Sequence, residues 1–266
     1  MLRQTFLFLP GVSERTEKRL WSLGIATWDH LLEASALPGV SRERLSFWKA
    51  RIRHAETLLR SPDGLRSLAR QLGTRYTWRL AREILREPRF LDIETTEYRG
   101  DITVVGVGDG DYCLALVKGR SLDAIALQRL LADASCIVTF NGSSFDLPIL
   151  YRQFPRALPD VPHLDMRHLC AQAGLHGGLK RIEEHLGIRR ADALRDVDGV
   201  DAILLWHRHA LGDADALSRL VEYNSADVLN LQPLLEKVLP ALWRHVRYGE
   251  ALPWGCYVAV RGEAGC

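Results

Sequence analysis

Asp92 and Glu94 stand two residues apart in a stretch, Arg89-Phe90-Leu91-Asp92-Ile93, that reads as a β-strand. Side chains alternate across a strand, so both carboxylates project from one face while Leu91 and Ile93 point the other way into apolar packing. Acidic residues are depleted within strands, although a surface edge accounts for such a pair taken alone. Asp146 follows the apolar run Thr139-Phe140 and the turn Asn141-Gly142, where an Asp in the first turn of a helix is favoured by the helix dipole without any further role. Tyr223 and Asp227 are four residues apart in Leu220-Val221-Glu222-Tyr223-Asn224-Ser225-Ala226-Asp227, a spacing that stacks them on one helical face. By itself this is an ordinary packed tyrosine above a solvated aspartate.

The combination points to hydrolysis of phosphodiesters. That reaction needs a water deprotonated near neutral pH and a leaving alkoxide stabilised as it forms. Two divalent ions about 3.5–4 Å apart supply both and neutralise the phosphate. Magnesium takes oxygen ligands in octahedral geometry, and carboxylates brought together from separate elements meet that demand, whereas without a cation they repel. Tyr223 beside such a site can orient the attacking water.

Asp92-Ile93-Glu94-Thr95-Thr96, Asn141-Gly142-x-x-Phe145-Asp146 and Tyr223-x-x-x-Asp227 resemble, in order, the three exonuclease motifs of the DnaQ-like or DEDD superfamily, and the tyrosine of the third marks its DEDDy branch. His163-Leu164-Asp165-Met166 and Gly178-Leu179-Lys180 through Leu186-Gly187 look like a group of free-standing ribonuclease-H-like proteins of bacteria and archaea. The resemblance covers roughly residues 89–240. It implies Asp92, Glu94, Asp146 and Asp227 as ligands of two divalent cations, Mg²⁺ or Mn²⁺, and Tyr223 as the residue that positions water. It also implies a mixed five-stranded sheet with helices on both faces. Thr95, Asn141, Phe145 and Lys180 are candidate nucleic-acid contacts, Phe145 by stacking on a base and Lys180 as a point charge for phosphate. Each has an ordinary alternative in the core or on a helix surface. Asp165 is read as an N-cap rather than a ligand, and His185, His207 and His209 lack ligand spacing.

The elements that must carry these residues follow from local signals. Strands are expected at 89–93, 102–107, 112–117 and 136–140, with a hairpin turn at Gly108-Asp109-Gly110-Asp111. Gly106-x-Gly108-x-Gly110 superficially matches a dinucleotide site, but no helix follows it as that motif requires. Helices are expected at 122–133, from Ser143, at 166–173 and 179–186, and through the C-terminal part. Three strands in meander followed by alternating helix and strand describe an α/β fold, a ribonuclease-H-like mixed sheet flanked by helices. The expected division is a helical module at 1–87, the catalytic domain at 88–243 and a tail at 244–266, with no internal repeat.

Within the N-terminal module, helices are expected from Ser13, from Thr27 or Asp29, from Ser41 and from Gly64. Phe8-Leu9-Pro10-Gly11-Val12-Ser13 with Lys18-Arg19-Leu20 resembles one helix-hairpin-helix unit, which makes Gly11, Lys18 and Arg19 candidate contacts to a phosphate backbone. Residues 1–89 carry a net charge of +8 and residues 90–266 a net of −6 within a total of +2, an asymmetry that raises a polyanionic partner.

At 47% hydrophobic and 26% charged residues, the chain has the composition of a soluble globular protein. Five cysteines without C-x-x-C spacing argue against a disulfide framework and a structural zinc. No signal peptide or membrane-length apolar run is read, so a cytoplasmic location is expected. The residues predict metal-dependent phosphodiester hydrolysis, and the resemblance implies a 3′–5′ exonuclease acting on the 3′ end of DNA or RNA. An endonuclease on the same fold and a catalytically quiet nucleic-acid-binding scaffold are the alternatives.

Overall fold

Serine and threonine hydroxyls at helix starts set the first boundaries. Ser13, Thr27 and Ser41 each accept a backbone N–H from the first turn of the helix that follows, satisfying a donor that the helix itself cannot. The computed structural model describes residues 1–61, 63–191 and 199–254. The chain divides into two units, Met1–Arg86 and Glu87–Cys266.

The first unit holds α1 (Glu14–Ser22), α2 (Trp28–Glu33), α3 (Arg42–Leu58), α4 (Gly64–Leu72) and α5 (Ala81–Ile84), with short 3-10 turns at Leu2–Gln4 and Thr77–Leu80. It contains a repeat that the sequence reading missed: Leu9-Pro10-Gly11-Val12-Ser13 returns as Leu37-Pro38-Gly39-Val40-Ser41. In both copies the valine N–H donates to the leucine carbonyl at 3.1 Å. Both glycines are left-handed, with φ of 76° and 73°, and both serines cap the next helix at 3.2 Å. Only the turn and cap are shared. The helices that follow, of 9 and 17 residues, diverge, which hides the duplication in the sequence.

The same unit buries an ion pair, Arg79 Nη2 to Glu17 Oε2 at 3.2 Å, with both side chains 1% exposed. Burial raises the Glu17 carboxyl and lowers the Arg79 guanidinium from their ordinary values. Hydrogen bonds from Thr5 Oγ1 and the Phe6 N–H to Glu17, at 2.8 and 2.7 Å, and the Trp78 ring 4.5 Å from the guanidinium offset part of that cost.

The second unit is a five-stranded sheet in the order β3-β2-β1-β4-β5. The strands are β1 (Pro88–Thr95), β2 (Ile102–Gly108), β3 (Cys113–Val117), β4 (Cys136–Thr139) and β5 (His163–Asp165). The first three form the antiparallel meander, and β4 and β5 add in parallel beside β1. Helices α6 (Ala124–Leu131), α7 (Asp146–Gln153), α8 (Met166–Gln172), α9 (Leu179–Leu186), α10 (Gly199–Ala210) and α11 (Ala214–Tyr248) complete it. This is the expected mixed α/β sheet flanked by helices.

Alternation along β1 gives the sheet two different faces. Leu91 and Ile93 pack with Leu127 and Leu131 of α6 and Ile149 and Leu150 of α7. On the other side, Val104 packs with residues of α10 and α11, including Leu220 and Tyr223. Each fully buried aliphatic side chain contributes about 1.5–3 kcal/mol, so these two layers hold β1 between them.

Two boundaries differ from expectation. Helix α7 starts at Asp146, not Ser143, because the Ser143 N–H and hydroxyl are both taken by Asp165 and Asn141 sits at φ 68°. Helix α11 continues past residue 244 to Tyr248, so the described chain shows no break where the tail was expected to begin. It also runs through Pro233 and Pro240, each of which leaves the carbonyl four residues earlier without its helical donor. Of the tail, Trp254 donates to the Ala173 carbonyl at 2.9 Å, while residues 255–266, with Cys256 and Cys266, lie outside the described residues. Cys113, Cys136 and Cys170 are free thiols. Among the described residues no helix is long and apolar enough to cross a membrane.

The glycines of β2, set aside above as a dinucleotide signal, have a packing role. A methyl group at Gly106 would lie 2.3 Å from Asn224 Oδ1 and 2.8 Å from Val228 Cγ2, and one at Gly108 2.9 Å from Val228 Cγ1. The missing side chains let α11 lie close against the sheet. Alanine is intrinsically the better strand residue, so the sign of a Gly106→Ala change reports on this contact. We expect a loss of about 1–3 kcal/mol from overpacking, measured by chemical denaturation. Unchanged or increased stability would contradict the close approach.

Candidate active site

The carboxylates meet because β1 and α11 face each other across that contact. Asp92 pairs in register with Gly106 and Glu94 with Val104, on the side of the sheet that α11 covers. Asn224, fully buried on α11, donates from Nδ2 to Asp92 Oδ2 at 2.8 Å and to the Asp92 carbonyl at 3.2 Å. One turn further along, Asp227 joins the pair. Ligand oxygens of Asp92, Glu94 and Asp227 all lie within 4.8 Å of one another.

Asp146 arrives from the other side of β1. The paired stretch between β1 and β4 covers Pro88 to Phe90. Beyond it, the Ile93 N–H donates to Asp146 Oδ1 at 3.1 Å. The turn that delivers Asp146 is fixed by Asp165, which accepts the Asn141 N–H at 2.8 Å, the Ser143 N–H at 3.1 Å and the Arg167 N–H at 3.0 Å. The last of these is the N-cap of α8 read from the sequence, and the other two make Asp165 the tie between β5 and the second acidic motif.

Burial is the largest influence on every carboxyl here, and mutual repulsion adds to it. Asp92 is raised well above its ordinary value by burial and by the charges of Asp227, Asp146 and Glu94. Glu94 is raised by burial, Asp227 and Asp146. Burial pushes Asp146 up to about 7 against the hydrogen bond from Ile93. Asp227 is also raised by burial, with Arg190 pulling the other way. Tyr223 is pushed far up by burial and by Asp227, Glu94 and Asp92, so its hydroxyl keeps its proton and acts as a donor. Four hard oxygen donors that oppose one another's ionisation fit a divalent cation, with Asp92, Glu94 and Asp227 as the tightest group and Asp146 close by.

All five of these residues line a cavity of about 630 Å³, together with Thr95, Asn141 and Phe145. Thr95 is buried and its hydroxyl donates to the Glu97 carbonyl at 2.8 Å. Phe145 packs partly into the core and its ring lies 6.0 Å from that of the exposed Tyr98. Lys180 lines a neighbouring cavity of about 520 Å³ with Glu183 and Arg190, and its ammonium lies 5.3 Å from the Tyr223 ring. Gly11, Lys18 and Arg19 belong to the first unit. There Gly11, Arg19 and Gly39 border a pocket of about 180 Å³, Arg19 donates to the Pro38 carbonyl at 2.9 Å and Lys18 is exposed.

Sequence reasoning missed Asn224, Tyr98, Arg167 and the pair Glu183–Arg190. Asn224 had a signal, a polar residue on the apolar face of α11 between Leu220 and Val228. Arg167, whose Nη1 donates to Asn141 Oδ1 at 2.8 Å, and Arg190 had none, because contact across 26 and 37 residues leaves no spacing to read.

Residues 89–239 match the protein family described as the RNase_H superfamily. Among solved structures the chain is similar to Escherichia coli RNase D, described as an exoribonuclease involved in structured RNA processing. The identity is 21%, the TM-score 0.43, and the match covers 75% of this chain and 50% of that one. The chain thus spans about half the length of that protein. No curated protein matches it.

The carboxyl shifts carry a sign for stability. Asp146, at about 7 in the fold against an ordinary 3.8, holds a proton in the native state that the unfolded chain releases. Its contribution is therefore full below the ordinary value and is lost as the pH rises through the folded one. In EDTA, the thermal midpoint of the native protein should fall behind that of Asp146→Asn as the pH rises from about 4 to about 7. A gap that stays constant over that window would contradict the assigned environment.

Proposed function

The chain belongs to the RNase_H superfamily, and from that premise we propose that it is a cytoplasmic, metal-dependent 3′–5′ exonuclease that hydrolyses phosphodiester bonds of DNA or RNA. Asp92, Glu94, Asp146 and Asp227 hold two divalent cations, Mg²⁺ or Mn²⁺. The observation that carries the reading is the convergence of Asp92, Glu94 and Asp227, whose ligand oxygens lie within 4.8 Å of one another, in one cavity with Asp146 and Tyr223. Divalent ions bound there supply an activated water and stabilise the charge on the phosphate and the leaving oxygen. Tyr223, protonated and hydrogen-bonded to Asp227, orients that water. Tyr98 and Phe145, 6.0 Å apart at the cavity wall, offer π faces to a base near the scissile bond, a contact worth about 1–3 kcal/mol. The 3′ polarity rests on the resemblance of the three acidic motifs to the DEDDy exonucleases.

The first unit supports the same substrate class. Its two glycine turns each lead into a serine-capped helix, and backbone N–H groups at such a start favour an anionic phosphate. The net charge of +8 over residues 1–89 adds an attraction that salt would weaken. A quiet scaffold has no need to keep repelling carboxylates buried together, so the catalytic reading is preferred to it.

Purified protein incubated with 3′- and 5′-labelled single-stranded DNA and RNA, and with circular substrates, separates the remaining readings. We expect metal-dependent release of mononucleotides from the 3′ end, abolished by EDTA. Asp146→Ala should lower the rate by at least about a hundredfold, the scale of removing one transition-state electrostatic contact. Cutting of circles would instead establish an endonuclease, and binding without cleavage a scaffold.

A further inference from the structure

Asp227 has a cationic neighbour that none of the acidic motifs contains. Arg190 lies just beyond the end of α9, where Gly187 turns the chain at φ 66°. Its guanidinium reaches back to Glu183 on that helix through two hydrogen bonds, Nη2 to Oε1 at 2.8 Å and Nε to Oε2. The same Nη2 also bonds Asp227 Oδ1. Arg190 is 5% exposed, Glu183 1% and Asp227 11%, so this Glu183–Arg190–Asp227 bridge is almost fully removed from water. Among the described residues, Arg190 Nη1 has no hydrogen-bond partner, so the guanidinium is committed to the two carboxylates and to nothing else.

We propose that Arg190 is a tethered place-holding cation that opposes metal loading at Asp227, with Glu183 as the anchor that draws it off. The proposal rests on the reading of Asp227 as a metal ligand. A guanidinium stays charged at any physiological pH, and a carboxylate oxygen engaged by it has less charge to offer a divalent ion. A metal bound by Asp92, Glu94 and Asp227 must also sit within a few ångströms of that positive charge, where the repulsion is weakly screened because the site is buried. In the metal-free protein the arginine neutralises Asp227. When the metal loads, Glu183 still holds Arg190 through Nε and Nη2, so the arginine need not leave the interior. The device makes metal affinity a property of a residue pair outside the ligand set.

The two members of the pair should act with opposite sign, which separates this role from simple structural support. Mn²⁺ binding is titrated by electron paramagnetic resonance of the free ion, and the metal-induced rise in thermal midpoint is read in parallel. Arg190→Gln should bind Mn²⁺ more tightly than the native protein, by about tenfold or more for removal of a neighbouring like charge, and should show a larger metal-induced shift. Arg190→Lys, which keeps the charge, should return most of the native affinity. Glu183→Gln leaves the arginine to Asp227 alone and should weaken Mn²⁺ binding several-fold.

Weaker or unchanged binding by Arg190→Gln would overturn the proposal, as would tighter or unchanged binding by Glu183→Gln. The second variant decides the matter if the first does not fold. Native protein that binds Mn²⁺ normally while the variants fail these signs defeats only the place-holder role. If neither the native protein nor Arg190→Gln binds Mn²⁺ at millimolar concentration, the metal reading of the site falls, and this inference with it.

Discussion

Four carboxylates that repel one another, in a place where burial already disfavours their charge, are the constraint on which the second unit turns. An isolated ion in such an environment costs several kcal/mol, and a group so placed either takes up a proton or finds a cation. Both responses are visible. Asp92, Glu94 and Asp146 are all raised towards the neutral form, while Asp227 shares a proton-bearing guanidinium with Glu183. A divalent cation resolves the same conflict more completely, and the hard oxygen donor set is suited to one.

Holding such a group together requires rigid support from several elements. β1 lies between two apolar layers that fix it in the sheet. Gly106 and Gly108 remove side chains from β2 where α11 approaches it, so that Asn224 can reach Asp92 and Asp227 can follow one turn later. On the opposite side, Asp165 collects three backbone N–H groups and thereby fixes the turn that presents Asp146. The four carboxylates are thus held by elements that are themselves fixed, as a preorganised electrostatic site requires.

Much of this was legible in the sequence, because the strongest signals were local. Alternation in β1 placed Asp92 and Glu94 on one face, four-residue spacing stacked Tyr223 above Asp227, and the Asn141-Gly142 turn announced a strand giving way to a helix. Long-range partners were not legible. Arg190 meets Asp227 across 37 residues and Asn224 meets Asp92 across 132, separations at which no periodicity survives. Ser143 misled for a related reason. It has the chemistry of a helix cap, but its hydrogen bonds go to Asp165 on another strand, and α7 begins only at Asp146. The repeated Leu-Pro-Gly-Val-Ser turn escaped notice because five residues of turn and cap were conserved between copies whose helices differ in length.

The central claim is that β1, α7 and α11 build one binding site for divalent cations from side chains distant in sequence. Crystals of the native protein grown with Mn²⁺, with data collected at the manganese absorption edge, test it without reference to any substrate. The account predicts an anomalous-scattering peak bounded by the carboxylates of Asp92, Glu94 and Asp227, with Asp146 within reach of it or of a second peak. Well-ordered carboxylates with no anomalous density between them, or a manganese bound only elsewhere on the protein, would contradict it.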